Sequence, residues 1–279
     1  MYNIIIDKTD NIINDLKNFL KNNNLYDNKQ RNNIITWGLP KKVNNNYKKK
    51  KKICNDYENH IIIERGFIKR DMYFSLGLNG FANFSKTRHT QCLSDRFNQL
   101  DINVKSYSAY SNENGYILIC GQVPWDTQVQ DINYCKWLEN LFSSLLKITK
   151  RKIVFRPHPT YTKLQKKNHS KPKLYKYKVF NGIFIDKIES IEESLKDAYC
   201  VIAYNSTSLI DAVIQGIPIF AMNEMSLVYN LSNNNIKNIE DLYIPSDDKQ
   251  LQTLYDISYM QYTKLELFEI FQKHNKFIL

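Results

Sequence analysis

Between residues 116 and 221, short apolar runs alternate with helical patterns, and this alternation constrains the fold more than any other feature. The runs at 116–120, 152–155, 200–204 and 218–221 are apolar on both faces. A strand buried on both faces belongs to a parallel sheet covered by helices on each side. The cover is present in the sequence. Residues 132–148 carry Trp137, Leu138, Leu141, Phe142, Leu145 and Leu146 at helical spacing, and 208–215 read as a second helix. Ser190 and Glu193 suggest a capping box that opens a short helix to 196. A Rossmann-like lobe over residues 111–248 is the expectation.

Residues 1–110 repeat the theme less regularly. A strand at 2–6 precedes a helix at 11–20, which has Ile12, Ile13, Leu16, Phe19 and Leu20 on one face and Asp10 as its N-cap. A strand at 34–37 is stopped by Gly38 and Pro40. The lysine run at 48–52 reads as a solvated loop, with a contact for phosphates as the alternative. A strand at 60–64 is followed by 69–89, which has no clean periodicity and is expected to be loop-rich. A strand at 102–107 closes the lobe. Two helices, at 249–262 and 264–273, make up a final segment, 249–279.

At ~150 residues per domain, 279 residues suit about two domains. No apolar run reaches the ~18 residues of a membrane span. The opening Met1-Tyr2-Asn3-Ile4-Ile5-Ile6-Asp7 lacks a basic leader and reads as a buried strand rather than a signal peptide. The five cysteines are scattered, with no pair at metal-ligand spacing, so no metal and a reducing cytoplasm are expected. The net charge of +11 suits a polyanionic partner such as nucleic acid, anionic lipid or a phosphorylated substrate. Asn, Ile, Lys and Tyr are also abundant, however, and A/T-rich codons would supply the lysine equally well.

Open parallel sheets bind ligands beyond the carboxyl ends of their strands. Three polar clusters fall there. Gly121-Gln122-Val123-Pro124-Trp125-Asp126 follows the first strand of the second lobe, and Arg156-Pro157-His158-Pro159 follows the second. Asn205-Ser206-Thr207-Ser208 joins a buried strand to a helix start. The amides and dipole of such a start favour anionic oxygen, and the hydroxyls of Ser206, Thr207 and Ser208 add hydrogen bonds. Simple capping explains the same residues. Arg156 offers a fork suited to phosphate, and His158 a proton donor near neutrality, both on a loop stiffened by proline. Asp211, one helical turn beyond Thr207, is placed to accept from a ribose hydroxyl or to face solvent.

These clusters, with Asp211-Ala212 and Gly216-Ile217-Pro218, resemble the donor-binding half of GT-B glycosyltransferases. The likeness is to capsular-polysaccharide Kdo transferase-like proteins and their short phage-encoded relatives. Leu118-Ile119-Cys120-Gly121 and Gln261-Tyr262-Thr263 with Glu266 extend it, so that it runs from Gly115 to Glu266. The segments around His60-Ile61-Ile62-Ile63-Glu64 and Ser75-Leu76-Gly77 look like parts of the short phage-type members. The resemblance implies an α/β fold of two Rossmann-like lobes with parallel sheets and a cleft between them. It implies a nucleotide-sugar donor as co-substrate, with no obligatory metal and no cofactor. Gln122, Asp126, Arg156, His158, Asn205, Ser206, Thr207, Ser208 and Asp211 become donor-site candidates. Glu64, then Asp71, are candidates for the general base at the acceptor, and His158 is a further catalytic candidate.

Three functions compete on this reading. One is sugar transfer to a hydroxyl, first of a hydroxymethylated pyrimidine in phage DNA, which suits the charge, with a saccharide chain of capsule or lipopolysaccharide as the alternative. The second is non-catalytic nucleic-acid binding by charge and the nineteen tyrosines, although no nucleic-acid-binding signature is present. The third is an epimerase on the same scaffold, which fold alone does not separate from a transferase.

Overall fold

The computed structural model describes residues 1–5, 11–40, 47–161 and 177–273, and Asp10, the expected cap, lies outside them. In chain order, the first part comprises β1 (Asn3–Ile5), α1 (Asn11–Asn22), β2 (Asn33–Trp37), α2 (Tyr47–Asn55), β3 (Asn59–Arg65), β4 (Phe74–Leu78) and α3 (Asp95–Asn98). Next come β5 (Tyr116–Cys120), α4 (Tyr134–Ile148), β6 (Ile153–Arg156), β7 (Ile183–Ile185) and α5 (Ile191–Leu195). The chain continues with β8 (Ala198–Ala203), α6 (Ser208–Ile214), β9 (Ile219–Ala221), α7 (Asp247–Ser258), β10 (Gln261–Tyr262) and α8 (Lys264–Gln272). Two compact units result: Met1–Asp101 with Leu254–Leu279, and Ile102–Thr253.

The second unit holds a five-stranded sheet, β7-β6-β5-β8-β9, parallel throughout. Its strands are apolar on both faces because both are covered: Ile117, Leu118, Ile119 and all six residues of β8 are buried. Asn133 caps α4 by accepting from the Lys136 N–H, and the helix lays Leu138, Leu141, Phe142 and Leu145 on Ile117, Ile119, Ile153 and Phe155. Each such side chain contributes about 2 kcal/mol of gross burial free energy. Strand β7 escapes the sequence pattern because it has only three residues, of which Ile183 alone is buried. At α5 the capping is one-sided: the Ser190 hydroxyl accepts from the Glu193 N–H, while the Ser190 hydroxyl itself donates to Glu192.

The first sheet, β1-β2-β3-β4-β10, is parallel-rich rather than wholly parallel. Strands β1, β2 and β3 run parallel, β4 returns antiparallel to β3, and β10 pairs antiparallel with β4. The expected irregular stretch at 69–89 therefore contains a buried strand, hidden from the pattern because Ser75 and Gly77 interrupt its apolar residues. The tail returns to this unit. Phe268 packs on Phe19 at 4.8 Å between ring centroids, and Phe271 lies edge-on to Tyr2 at 5.1 Å. Thr263 and Glu266 form a full capping box on α8. The buried Gln261 Oε1 accepts from the N–H groups of Phe67 and Ile68, at 2.8 and 2.9 Å, so the Gln261-Tyr262-Thr263 segment clamps the β3–β4 loop.

Two expectations about local structure fail for tertiary reasons. The lysine run at 48–52 is helical, not loop. Like charges three and four apart on a helix disfavour it by about 0.2–0.5 kcal/mol per pair. The parallel β2–β3 connection nevertheless requires a crossover element, and Cys54 and Tyr57 bury its far end. Residues 102–106 form no strand and belong to the second unit, where the Lys105 N–H donates to Ile214 O at 2.9 Å and Tyr107 is buried. The two compact units divide at 101/102 and inside α7. Among the described residues no helix is long and apolar enough to cross a membrane.

Candidate functional site

All strands of the second sheet run the same way, so the loops after β5, β6 and β8 gather on one edge. Backbone and side-chain bonds fasten them together. The Gly121 N–H donates to Arg156 O at 2.8 Å, joining the first two loops. A Cβ on Gly121 would lie 2.9 Å from the Phe155 ring, so this approach requires glycine. Gln122 Nε2 donates to Asn205 Oδ1 at 2.7 Å, and the Asn205 N–H returns a bond to Gln122 Oε1 at 3.1 Å, joining the first and third loops. Asn205 Nδ2 also donates to Gln128 O at 3.1 Å, and the buried Tyr134 hydroxyl accepts from the Gln122 N–H at 2.8 Å. Gln122 and Asn205 are 8% and 5% exposed. Both were expected on the donor. The structure pairs them with each other, and they act as the brace that sets the loop spacing.

Arg156 makes the densest set of bonds at this edge. Its guanidinium donates to Asp186 Oδ2 and Ile188 O at 2.7 Å each, to Ser194 Oγ at 3.0 Å and to Glu189 O at 2.5 Å. The side chains of Arg156 and Asp186 are 13% and 2% exposed. Burial pushes the Asp186 carboxyl upward, but the Ser194 hydroxyl, the Ile188 N–H and Arg156 together hold it below the usual carboxylate range. The fork, expected on a phosphate, ties the end of β6 to the β7–α5 connection. Asp186, Ser194 and Tyr134 were not read from the sequence as parts of this region. The one available signal was the apolar trio of β7 running directly into Asp186.

The remaining donor candidates stay near the surface. His158 follows β6 and is half-buried, with Nδ1 accepting from the Thr160 N–H at 3.1 Å. A neutral ring holding that bond carries its proton on Nε2, which makes Nε2 a donor. Ser206, Thr207, Ser208 and Asp211 are half-buried at the start of α6. The Ser206 hydroxyl accepts from the Ser208 N–H at 3.3 Å and bonds the Ser208 hydroxyl at 2.9 Å, so the turn is partly self-capped. The helical conformation begins at Thr207 (φ −64°, ψ −17°), one residue early. Ser208 also reaches the Cys120 thiol, which burial pushes up to about 12 despite that bond, so Cys120 is no nucleophile. Asp126 caps the short turn Thr127–Val129 by accepting from the Gln128 N–H at 3.1 Å. Trp125 faces Tyr161 at 6.1 Å between ring centroids, and Tyr161 stacks on Tyr177 at 4.7 Å, so aromatic surface flanks the loops.

In the first unit, Glu64 and Asp71 both lie on the carboxyl side of β3. Glu64 is half-buried, and its Oε1 sits 2.6 Å from where a Cβ on Gly38 would be. Gly38 has φ +61° and donates its N–H to Ile63 O at 2.9 Å. That left-handed glycine at the end of β2 gives the carboxylate its place. Asp71 is exposed in the β3–β4 loop. Among the described residues no group of three or more His, Cys, Asp or Glu could hold a metal ion. A polar hollow of about 350 Å³, lined by Lys105, Ser106, Tyr110, Lys196 and Gly216, opens at the opposite, amino edge of the second sheet. Open sheets do not bind their ligands there.

No protein-family model and no curated protein sequence matches the chain. Solved structures do. Thermosulfurimonas dismutans KpsC, beta Kdo 2,4 transferase, superposes with a TM-score of 0.57 at 11% identity over 98% of this chain and 98% of that one. Thermosulfurimonas dismutans KpsC, beta Kdo 2,7 transferase, gives 0.53 at 14% identity over 96% and 97%. With two parallel-rich sheets and this likeness over nearly the whole length, the chain has the two-lobed α/β fold of GT-B glycosyltransferases.

Proposed function

We propose that the protein is a glycosyltransferase that moves a sugar from a nucleotide-sugar donor to a hydroxyl of a saccharide acceptor. The observation that carries this reading is the structural likeness to two Kdo transferases over at least 96% of each chain, with polar loops braced together where such a sheet binds its ligand. In this scheme the donor phosphate meets the amides and hydroxyls of Ser206 and Thr207 and the Nε2–H of His158. Asp211 accepts from the ribose. Trp125, backed by the buried Tyr161, offers a flat apolar surface to the base. Preset donors aimed at the leaving phosphate stabilise charge as it develops, and the reading assigns that work to protein groups without a cofactor or an obligatory metal. Glu64, with Asp71 second, removes the proton from the acceptor hydroxyl.

The acceptor is taken as a saccharide because the two similar structures are a Kdo 2,4 and a Kdo 2,7 transferase, and such linkages end on a numbered hydroxyl of a sugar. A nucleotide-activated Kdo is therefore the first donor to test. A thermal-shift screen of nucleotide-sugars, followed by mass spectrometry of oligosaccharide and hydroxymethylated-DNA acceptors, tests the scheme. Stabilisation by a nucleotide-sugar and a mass increment on the oligosaccharide support it. A protein stabilised by no nucleotide-sugar overturns it, and an increment on DNA alone overturns the acceptor.

A further inference from the structure

We propose that Thr36 is a positioning residue for the acceptor-side base: steadied by His60, its hydroxyl fixes the Gly38 bend against which the Glu64 carboxylate rests. This inference rests on the transferase reading with Glu64 as base, and adds to it the device that keeps the base in place.

The device begins with polar side chains where apolar ones would pack more cheaply. Strands β2 and β3 pair in parallel, Ile34 with His60 and Thr36 with Ile62, so Ile34, Thr36, His60, Ile62 and Glu64 share one face of the first sheet. The other face of the same strands carries Ile35, Ile61 and Ile63. Thr36 is 7% exposed and His60 is half-buried. A hydroxyl and an imidazole on a covered face cost desolvation that aliphatic residues avoid, and such departures from an apolar pattern concentrate where a site has to be held.

The hydrogen bonds form one line towards the carboxyl edge of the sheet. His60 is fixed through its backbone: its N–H donates to Asn79 Oδ1 at 2.7 Å, and its carbonyl accepts from the Asn79 N–H at 2.8 Å. Its ring Nε2 lies 2.6 Å from Thr36 Oγ1, which donates to Gly38 O at 2.8 Å. A hydroxyl has a single proton to give. Because that proton goes to Gly38 O, Thr36 accepts from His60, and Nε2 carries the ring hydrogen. The line ends on a carbonyl, which passes no proton onward, so it sets a position and is not a relay to Glu64.

Gly38 is where this line meets the carboxylate. Its φ of +61° is left-handed, and the three atoms nearest to a Cβ placed on it all belong to Glu64: Oε1 at 2.6 Å, Cδ at 3.5 Å and Cγ at 3.7 Å. The carboxylate occupies the space that a side chain at 38 would fill. The Gly38 N–H donates to Ile63 O at 2.9 Å while its carbonyl is held by Thr36, so the residue is pinned at both ends. Without the hydroxyl the carbonyl end is released and the bend beside Glu64 can rotate. A misplacement of about 1 Å at reacting groups costs about 10²-fold in rate.

The test follows acceptor-dependent nucleotide release by the parent, Thr36→Val, Thr36→Ser and Gly38→Ala, each also in a Glu64→Gln background. Thr36→Val keeps the branched shape without the hydroxyl. It should lower kcat by about 10–100-fold with the KM for the nucleotide-sugar unchanged, whereas Thr36→Ser should stay within about threefold of the parent. Thr36→Ala, which also lacks the hydroxyl, serves should Thr36→Val fail to fold. Gly38→Ala should lower kcat likewise, because its Cβ meets only the flexible end of Glu64. In the Glu64→Gln background none of these substitutions should cost more than about twofold, since the effect acts through the carboxylate. An undiminished loss in that background, or parental kcat without the Thr36 hydroxyl, overturns the proposal. Parental kcat in Glu64→Gln alone overturns it too, and leaves the transferase reading intact. A parent that releases no nucleotide counts against that reading instead, and the crystal structure of Thr36→Val then decides the positioning role. A Glu64 carboxylate displaced by about 1 Å or more supports it, and one in the parental place overturns it.

Discussion

Replacing Arg156 with alanine separates a structural guanidinium from a ligand-binding one. Asp186 has a side chain only 2% exposed, and the substitution strips it of a 2.7 Å ion pair while releasing the bonds to Ile188 O, Glu189 O and Ser194. Removing one partner of a buried pair costs about 3–5 kcal/mol because the other charge stays buried. At about 2–4 °C per kcal/mol for a unit of this size, the melting temperature should fall by roughly 6–20 °C. The pH dependence supplies a second signature. In the parent, the lowered Asp186 pKa adds stability above the unfolded carboxylate value, and that stability is lost as pH falls through the folded value. In the variant Asp186 keeps the Ser194 hydroxyl and the Ile188 N–H but loses the guanidinium, so its pKa stands above the parent's and protonation costs less. The gap in melting temperature should therefore narrow as pH is lowered from 7 through the carboxylate range. Thermal denaturation by circular dichroism across that range is the assay. A variant that melts within 2 °C of the parent but no longer binds a nucleotide-sugar would refute the reasoning and return Arg156 to the donor.

Three further outcomes follow from the geometry. His60 is held neutral with its pKa lowered to about 4 by burial, and its Nε2 lies 2.6 Å from the Thr36 hydroxyl, which itself donates to Gly38 O. Its contribution is complete above pH 6.5 and is lost as pH falls to 4, at most about 3 kcal/mol, and His60→Gln should flatten the acid limb of a urea-denaturation pH series. Gln122→Ala and Asn205→Ala should each destabilise by about 1–3 kcal/mol, because each leaves a buried amide unsatisfied, and the double variant should lose less than the sum in chemical denaturation. Glu64→Gln should lower kcat by about 10²–10⁴ with donor affinity unchanged, and steady-state kinetics beside donor titration reads both.

The second lobe was legible because its signal is local. Strands buried on both faces and a helix with Leu138, Leu141, Phe142 and Leu145 in register leave one solution, and the loops at the strand ends follow from it. What those loops do was not legible. Arg156 beside Pro-His-Pro looks like a phosphate ligand until Asp186, 30 positions away, and Ser194, 38 away, arrive through the fold. Gln122 and Asn205 meet across 83 positions. Polar residues read as donor contacts are thus divided between those that hold the loops and those left at the rim, and only side-chain partners make the division. In the first lobe the difficulty is different. Charge at 48–52 argues for solvated loop, while the need to cross between parallel strands imposes a helix.

Sugar transfer is tested most directly by following free nucleotide from a nucleotide-Kdo donor, with and without an oligosaccharide acceptor, while the acceptor is weighed by mass spectrometry. Nucleotide release that depends on the acceptor and matches its mass increment one for one is the predicted result. Release or isomerisation of the donor at the same rate without acceptor, and no change in acceptor mass, would contradict it.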